Sequence, residues 1–275
     1  PLVLLLLAGI LFISCVPALR NLCYEDVGTV VSAHPIATEI GMEVLQDGGN
    51  AVDAAVAVGF AMGVVDQFHS GIGGGGFIVI RVADGTIHTI DGRETAPAAA
   101  TRDMYLRNGE FDPSLSQEGV LAVGVPGIVA AYEEALELAG TKTLAEAIQP
   151  SIPVARDGFV LDEPYAHVIR ETAEKLKTDP ASRAIYLHED GSPLAAGEML
   201  LQPDLAATYE KIAARGTDYF YKGEFAEKLA ALMKANGGLI TEADMAGYKV
   251  HYREPIVGDY RDYKIIGMAP PSSGG

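Results

Sequence analysis

Five glycines within six positions constrain this chain more than any other feature of its sequence. They occupy position 71 and positions 73–76, and they lead directly into the apolar segment FIVIR. Residues without a β-carbon permit φ > 0 or a close approach of the backbone to another group. Such a loop can also bind an anion through its N–H groups. However, no Lys-Ser or Lys-Thr pair follows, and the loop precedes a strand rather than a helix, so the sequence disfavours a nucleotide site.

The segment after the glycines predicts a β-hairpin. Residues 77–82 and 86–90 read as two short strands, and Ala-Asp-Gly at positions 83–85 is typical of a tight turn. One face of the first strand is wholly apolar and the other is mostly apolar. This pattern predicts a sheet that is packed on both sides.

Arg93 follows the second strand, directly after Asp91-Gly92. A planar guanidinium can hold a carboxylate through two parallel hydrogen bonds, and the end of a rigid strand preserves that geometry. The alternative is that Arg93 pairs locally with Asp91 or Glu94, which is the commoner role of a charged residue at a strand end. The spacing alone leaves both interpretations open.

Two helices are predicted before the glycine-rich loop. Pro35 suits the first turn of a helix with one apolar face, which Gly48-Gly49 would end. Asn50 with Asp53 three residues later predicts a capping box at the start of the second helix. Residues 51–65 are almost entirely apolar and small, which predicts a helix that is buried on all sides and too short to span a membrane.

The rest of the chain predicts a helical layer between shorter β segments. Residues 119–126 resemble a further strand, and residues 127–236 carry predominantly helical periodicity. Three aromatic residues at 219–221 are interpreted as packing between helices, without a ligand role. Residues 256–266 predict a second hairpin.

Composition excludes several classes of function. The chain of 275 residues is 49% hydrophobic, which suffices for a sizeable core, and its formal net charge is −17. An acidic chain is repelled by phosphate backbones, so nucleic acid is not predicted as a partner. The six histidines are scattered, and Cys15 and Cys23 imply no disulfide framework. The sequence predicts no metal site and no cofactor.

The N-terminus predicts export. Residues 2–16 are apolar apart from a few small residues, and Pro17 and Arg20 follow them. Residues 1–20 are therefore interpreted as a signal peptide or an N-terminal membrane anchor. The folded part of the chain is expected in the periplasm or outside the cell, either released or anchored.

Five long motifs occur between Val27 and Gly275. They are GGNAVDAAVAVGFAMGVVDQFHSGIGGGGF, DGRETAPAAA, AVGVPGIVAAYEEA, GLITEADMAGYKVHYREP and MAPPSSGG. In content and order they resemble the heavy-subunit motifs of the γ-glutamyltransferase (γ-glutamyltranspeptidase) family. Residues 27–275 are thus identified as the N-terminal part of such a heavy subunit.

The resemblance implies an α+β fold, namely the large-subunit part of the four-layer αββα sandwich of N-terminal nucleophile hydrolases. It implies a precursor that cleaves itself before a threonine into a heavy and a light subunit, which remain together as a heterodimer. The new terminal threonine would attack the γ-amide of glutathione or another γ-glutamyl compound. Water, an amino acid or a peptide would then accept the γ-glutamyl group, so the implied role is glutathione catabolism.

By the same resemblance, Arg93 binds the α-carboxylate of the γ-glutamyl group, and Glu94 either orients Arg93 or only shares its loop. The nucleophilic threonine is expected beyond Gly275, so no catalytic residue is assigned within the chain, and the fragment alone is expected to be inactive. Two alternatives remain open. One is a cephalosporin (glutaryl) acylase of the same fold; the other is a non-catalytic exported binding protein for acidic amino acids.

Overall fold

Antiparallel hairpins and helices make up residues 28–273, the part of the chain that the computed structural model describes. The predicted export segment at residues 1–20 and both cysteines lie outside this range. Within the range, no helix is both long and apolar enough to cross a membrane.

Helices and strands follow the sequence pattern closely. The helices are α1 (Pro35–Gln46), α2 (Ala51–Val65), α3 (Pro113–Gln117), α4 (Ile128–Ala139), α5 (Leu144–Ile148), α6 (Ser151–Asp157), α7 (Glu163–Leu176), α8 (Pro180–Tyr186), α9 (Pro203–Arg215), α10 (Thr217–Tyr221), α11 (Glu224–Asn236) and α12 (Glu242–Ala246). The strands are β1 (Phe77–Arg81), β2 (Ile87–Asp91), β3 (Leu106–Arg107), β4 (Glu110–Phe111), β5 (Phe159–Val160), β6 (Met199–Leu200), β7 (His251–Tyr252), β8 (Ile256–Tyr260) and β9 (Tyr263–Gly267). Both predicted hairpins and the helical region are confirmed, and the α+β class is confirmed with them.

The central sheet has the strand order β1-β2-β7, and both of its pairings are antiparallel. Gly85 adopts φ 94° in the first hairpin turn, as a left-handed turn position requires. Asp91, the last residue of β2, pairs with His251 of β7. A strand about 160 residues further along the chain is thereby placed beside the loop that follows β2.

Only one face of this sheet is covered by helix within residues 28–273. Helix α4 packs on β1 and β2, and Ile90 is fully buried. On the opposite face, Val79 remains 41% exposed. The predicted packing on both sides is therefore not met in this range, and the four-layer arrangement stays a prediction.

Helix α2 is the centre of the helical layer, but the prediction that it is buried on all sides is wrong for the described range. Nine of its fifteen residues are buried, whereas Ala51 and Ala55 are exposed. Its small residues serve close packing. A β-carbon on Gly59 would lie 2.3 Å from the Tyr132 hydroxyl, and one on Gly63 would lie 2.7 Å from the Tyr209 hydroxyl.

The capping box at the start of α2 also forms a tertiary contact. Asp53 is fully buried, and its Oδ1 accepts hydrogen bonds from the N–H groups of Thr141 (2.8 Å) and Lys142 (2.9 Å). Its Oδ2 accepts from Asn50 N–H (2.7 Å) and the Thr141 hydroxyl (2.6 Å), while Asn50 Nδ2 donates to the Ala139 carbonyl (2.7 Å). One carboxylate thus joins the start of α2 to the end of α4.

The strand predicted for residues 119–126 is wrong. Only Val125 pairs, through an isolated bridge to Thr95, while Ala122 N–H donates to the Gly119 carbonyl in a turn. Gly119 has φ 73°, which is incompatible with a strand. At Gly124 a β-carbon would lie 2.9 Å from the Glu94 β-carbon, so this glycine permits close approach of two loops.

Candidate functional site

The candidate site begins where β2 ends, at an ion pair between a buried carboxylate and an exposed arginine. Asp91 is 3% exposed, and its Oδ2 accepts hydrogen bonds from Nε (2.9 Å) and Nη2 (2.7 Å) of Arg253. Its Oδ1 accepts from the backbone N–H of Arg93 (3.0 Å). The alternative interpretation, a local salt bridge between Arg93 and Asp91, is therefore wrong, because Arg253 pairs with that carboxylate.

The side chain of Arg93 is exposed, and within residues 28–273 it forms no ion pair with Asp91 or Glu94. Its backbone, by contrast, is held from several sides. The Tyr248 hydroxyl donates to the Arg93 carbonyl (2.8 Å). A β-carbon on Gly75 would lie 2.8 Å from the Arg93 Cα. A fixed main chain therefore carries a guanidinium that is free to bind an external anion.

The glycine-rich loop supports this segment and uses its polar groups inside the protein. The Gly74 carbonyl accepts hydrogen bonds from Gly127 N–H (2.9 Å) and Ile128 N–H (3.1 Å) at the start of α4. Gly76 and Gly92 exchange two backbone hydrogen bonds of 3.2 and 2.9 Å. The loop thus continues the hairpin and caps a helix.

Tyr248 lies between the loop that carries Arg93 and the helical layer. Its ring stacks on that of Tyr221 with centroids 5.7 Å apart and planes at 13°. A β-carbon on Gly127 would lie 2.0 Å from the Tyr248 hydroxyl, so only glycine fits there. Burial, followed by the nearby charges of Asp91 and Glu94, raises the pKa of Tyr248 to about 12, so its hydroxyl remains protonated and can donate at neutral pH.

A polar cavity of about 480 Å³ lies beside the loop that carries Arg93, with Glu94 in its lining. It is bounded by the glycine-rich loop, the end of α2 and the start of α4, and its polar lining residues are Gln67, His69, Ser70, Glu94 and Tyr132. Glu94 thus lines this cavity, whereas the adjacent Arg93 side chain is exposed to solvent and is not among the lining residues. Across residues 28–273, no group of three His, Cys, Asp or Glu side chains is arranged to hold a metal ion.

The sequence indicated Arg93 as the candidate substrate-binding residue, but it did not indicate the residues that contact its backbone or the neighbouring Asp91. Tyr248 and Arg253 lie 155 and 160 positions further along the chain. Both fall in the segment GYKVHYREP, which carried part of the family resemblance but no assigned role. The alternation of aromatic and basic residues there predicts an extended segment, but no local signal indicates which strand it joins.

Substitution at Gly75 tests whether the glycine-rich loop supports Arg93. We expect Gly75→Ala to lower the stability of the complete protein by about 1–3 kcal/mol, because the new methyl group meets only backbone atoms, at 2.5 to 2.8 Å. Gly73→Ala is the matched control, since a β-carbon there has no neighbour within 4 Å. Equal melting temperatures for the two variants would contradict this account.

The comparisons with known proteins agree with one another. The family model described as gamma-glutamyltranspeptidase matches residues 37–275. The glutathione hydrolase proenzyme of Pseudomonas sp. (strain A14) is 48% identical over 249 residues, which cover 90% of this chain and 43% of that protein. The acylase ACY 1 proenzyme of Pseudomonas sp. (strain V22) is 44% identical over 255 residues, with 90% and 46% covered.

Among solved structures, the gamma-glutamyltranspeptidase of Helicobacter pylori superimposes with a TM-score of 0.88 at 45% identity. The match covers 90% of this chain and 71% of that chain. The chain spans less than half the length of the two curated relatives, at 43% and 46%. The segments GIGGGGF, DGRETAP and GYKVHYREP, which build the candidate site, all lie within the matched residues.

Proposed function

Because the chain belongs to the γ-glutamyltranspeptidase family, we propose that the complete protein transfers γ-glutamyl groups from glutathione and related compounds. Water would accept the group in hydrolysis, and an amino acid or peptide would accept it in transpeptidation. The family match over residues 37–275 supports this proposal, as do relatives named glutathione hydrolase proenzymes.

Arg93 binds the α-carboxylate of the γ-glutamyl group in this proposal. The observation that carries it is the pairing of Asp91 with Arg253, which leaves the exposed Arg93 guanidinium unpaired, directly before Glu94 in the lining of the cavity. A carboxylate of the substrate can then form two parallel hydrogen bonds with the guanidinium. A fixed backbone lowers the entropy cost of holding that geometry.

The nucleophile belongs to the part of the precursor beyond Gly275, where self-cleavage exposes a threonine. In the proposed reaction its hydroxyl attacks the γ-amide carbon, the C–N bond breaks, and the amine leaves with the hydroxyl proton. The resulting γ-glutamyl ester is then attacked by water or by the amine of the acceptor, which releases the threonine hydroxyl with a proton from the acceptor. Both curated relatives are named proenzymes, which supports a processed precursor. Residues 1–275 alone are expected to have no activity, because the nucleophile is not among them.

The two segments would remain associated as a heterodimer in a four-layer αββα sandwich. The exposed face of the central sheet supports this, because Val79 lies there at 41% exposure. So does an apolar cavity of about 710 Å³ between β1, the start of α2 and the end of α4. Burial of this surface by the light segment would stabilise the pair.

The location is proposed as periplasmic or extracellular, released or anchored through the N-terminus. The apolar segment at residues 2–16, followed by Pro17 and Arg20, supports export. The net charge of −17 is compatible with it.

A glutaryl acylase is the second candidate, favoured by the 44% identity to an acylase proenzyme. A glutaryl group also ends in a carboxylate that Arg93 could bind, but it lacks the α-amino group. Residues that contact the α-amino group therefore decide between the two activities.

One experiment tests the proposed function and separates it from the alternatives. The complete reading frame is expressed, assayed with γ-glutamyl-p-nitroanilide and followed on a denaturing gel. Two bands that appear together with release of p-nitroaniline are the expected result. Two bands with activity only on a glutaryl amide would favour the acylase, and a single uncut, inactive band would favour the binding protein.

A further inference from the structure

We infer that Arg253, Asp91 and Tyr248 are positioning residues, which together keep the Arg93 guanidinium unpaired and aimed at the substrate carboxylate. The inference rests on the proposed function and adds to it the residues that make Arg93 available. None of the three is proposed to touch the reacting atoms.

The negative charge next to Arg93 is already neutralised. Asp91 lies only two residues before Arg93, and its side chain is 4% exposed. A buried carboxylate without a partner is strongly unfavourable and attracts the nearest free cation. Because both guanidinium donors of Arg253 reach Asp91 Oδ2, at 2.9 and 2.7 Å, the carboxylate is already neutralised and does not compete for the Arg93 side chain.

The backbone of Arg253 is held by strand β2. The Thr89 hydroxyl donates to the Arg253 carbonyl, and the Arg253 N–H donates back to the Thr89 oxygen (3.2 Å). Thr89 is 3% exposed and lies on β2, two positions before Asp91. The same strand therefore fixes both partners of the ion pair, so its geometry does not depend on a mobile loop.

The backbone of Arg93 is itself held by hydrogen bonds at both its N–H and its carbonyl. Its N–H donates to Asp91 Oδ1 (3.0 Å), and its carbonyl accepts from the Tyr248 hydroxyl (2.8 Å). Asp91 thus has two roles, because one oxygen pairs with Arg253 and the other holds the Arg93 main chain. Contacts at both ends of the residue fix the direction in which the side chain leaves the loop.

The test compares two donors on the complete protein. One is γ-glutamyl-p-nitroanilide, and the other is 4-aminobutyryl-p-nitroanilide, which is the same donor without the α-carboxylate. We expect Arg253→Gln to raise KM for the γ-glutamyl donor at least tenfold, while activity on the 4-aminobutyryl donor changes less than threefold. A proportional loss on both donors would show a merely structural role and overturn the inference.

The double variant Asp91→Asn/Arg253→Gln sharpens the test. Asparagine can still accept the Arg93 N–H, but it carries no charge that could pair with the Arg93 guanidinium. We therefore expect the double variant to recover a large part of the donor affinity lost in Arg253→Gln. A double variant that is no better than the single variant would contradict the proposed competition.

Two control variants and one milder variant distinguish the expected effect on substrate binding from an effect of misfolding. Arg156→Gln removes another Arg–Asp pair on the exposed surface, in which Nε and Nη2 each donate to Asp157 at 2.8 Å. This variant should leave the activity on both donor substrates unchanged. Tyr248→Phe removes one hydroxyl and should raise KM for the γ-glutamyl donor about threefold. Its control is Tyr105→Phe, which loses a single bond of 3.2 Å to the Leu121 carbonyl.

Calorimetric titration with L-glutamate separates failure of the inference from failure of the proposed function. A wild-type protein that binds glutamate but cleaves no γ-glutamyl donor would contradict the function. The inference would then be judged by affinity alone, with weaker binding expected for Arg253→Gln and recovery expected in the double variant. Unchanged glutamate affinity in Arg253→Gln and Tyr248→Phe would overturn it.

Discussion

Replacement of Arg93 in the complete protein is expected to cause the largest loss of substrate binding of any single substitution in this chain. Arg93→Ala leaves the carboxylate of the bound donor without its charged partner, which costs about 2–5 kcal/mol and thus about thirtyfold or more in KM. Arg93→Lys keeps the charge but loses the two parallel hydrogen bonds, so a rise of about tenfold is expected.

Steady-state kinetics with γ-glutamyl-p-nitroanilide measures this effect. Arg102→Ala is the control, because its side chain is 97% exposed and lies nine positions from Arg93 in the same connecting segment. Self-cleavage, read on a denaturing gel, should be unchanged in all three variants, since Arg93 is proposed to bind substrate only. A donor KM that does not change in Arg93→Ala would remove this residue from the site.

Substitution of Asp53 is expected to have the largest effect on stability. Asp53→Ala leaves four donors of Asn50, Thr141 and Lys142 without their buried, charged acceptor. A hydrogen bond to a charged group contributes about 1.5–3 kcal/mol, so a loss of at least about 3 kcal/mol is expected after relaxation and partial hydration of the donors. Glu146→Gln is the matched control, because Glu146 forms the same capping box with Thr143 at the exposed start of α5 and should cost less than about 1 kcal/mol.

The contribution of Asp53 also predicts a pH dependence. Burial raises the pKa of the Asp53 carboxyl, but hydrogen bonds from Thr141, Asn50 and Lys142 outweigh it and hold the pKa below its ordinary value of 3.8. The folded state therefore binds a proton less readily than the unfolded state. The stabilisation is fully present above pH 3.8 and is lost as the pH falls below it, through the folded-state pKa.

Denaturant titrations of wild type and Asp53→Asn at several pH values measure this contribution. The difference in free energy of unfolding should be constant near neutral pH and should shrink only in strongly acidic solution. A difference that shrinks already between pH 7 and pH 5 would contradict a lowered pKa for Asp53.

The arrangement around Arg93 also bears on the choice between the candidate activities. A carboxylate is common to the γ-glutamyl group, the glutaryl group and a free acidic amino acid, so Arg93 alone does not distinguish them. Its unpaired state, maintained by Arg253, supports recognition of an acidic ligand in every case. The identity of the reaction therefore depends on the nucleophile and on the contacts to the α-amino group.

Local patterns were sufficient for the helices, the hairpins and the caps. The Asn50–Asp53 capping box, the turn at Gly85 and the start of α4 after Gly127 all depend on residues that lie close together in sequence. Local patterns are misleading at residues 119–126, where they predict a strand but the glycines serve a turn and a close loop contact. Apolar periodicity does not distinguish an extended segment that pairs from one that does not.

The sequence by itself determined the family, the order of the elements and the presence of Arg93 at the exit of a strand. Only the tertiary structure decided that Arg93 is free to bind a ligand, because its competitor Asp91 is neutralised by Arg253, 162 positions away. It likewise decided that Asp53 holds Thr141 across 88 positions. Contacts of this kind depend on which strands and helices become neighbours, and that choice is made by burial of the whole core rather than by any short segment.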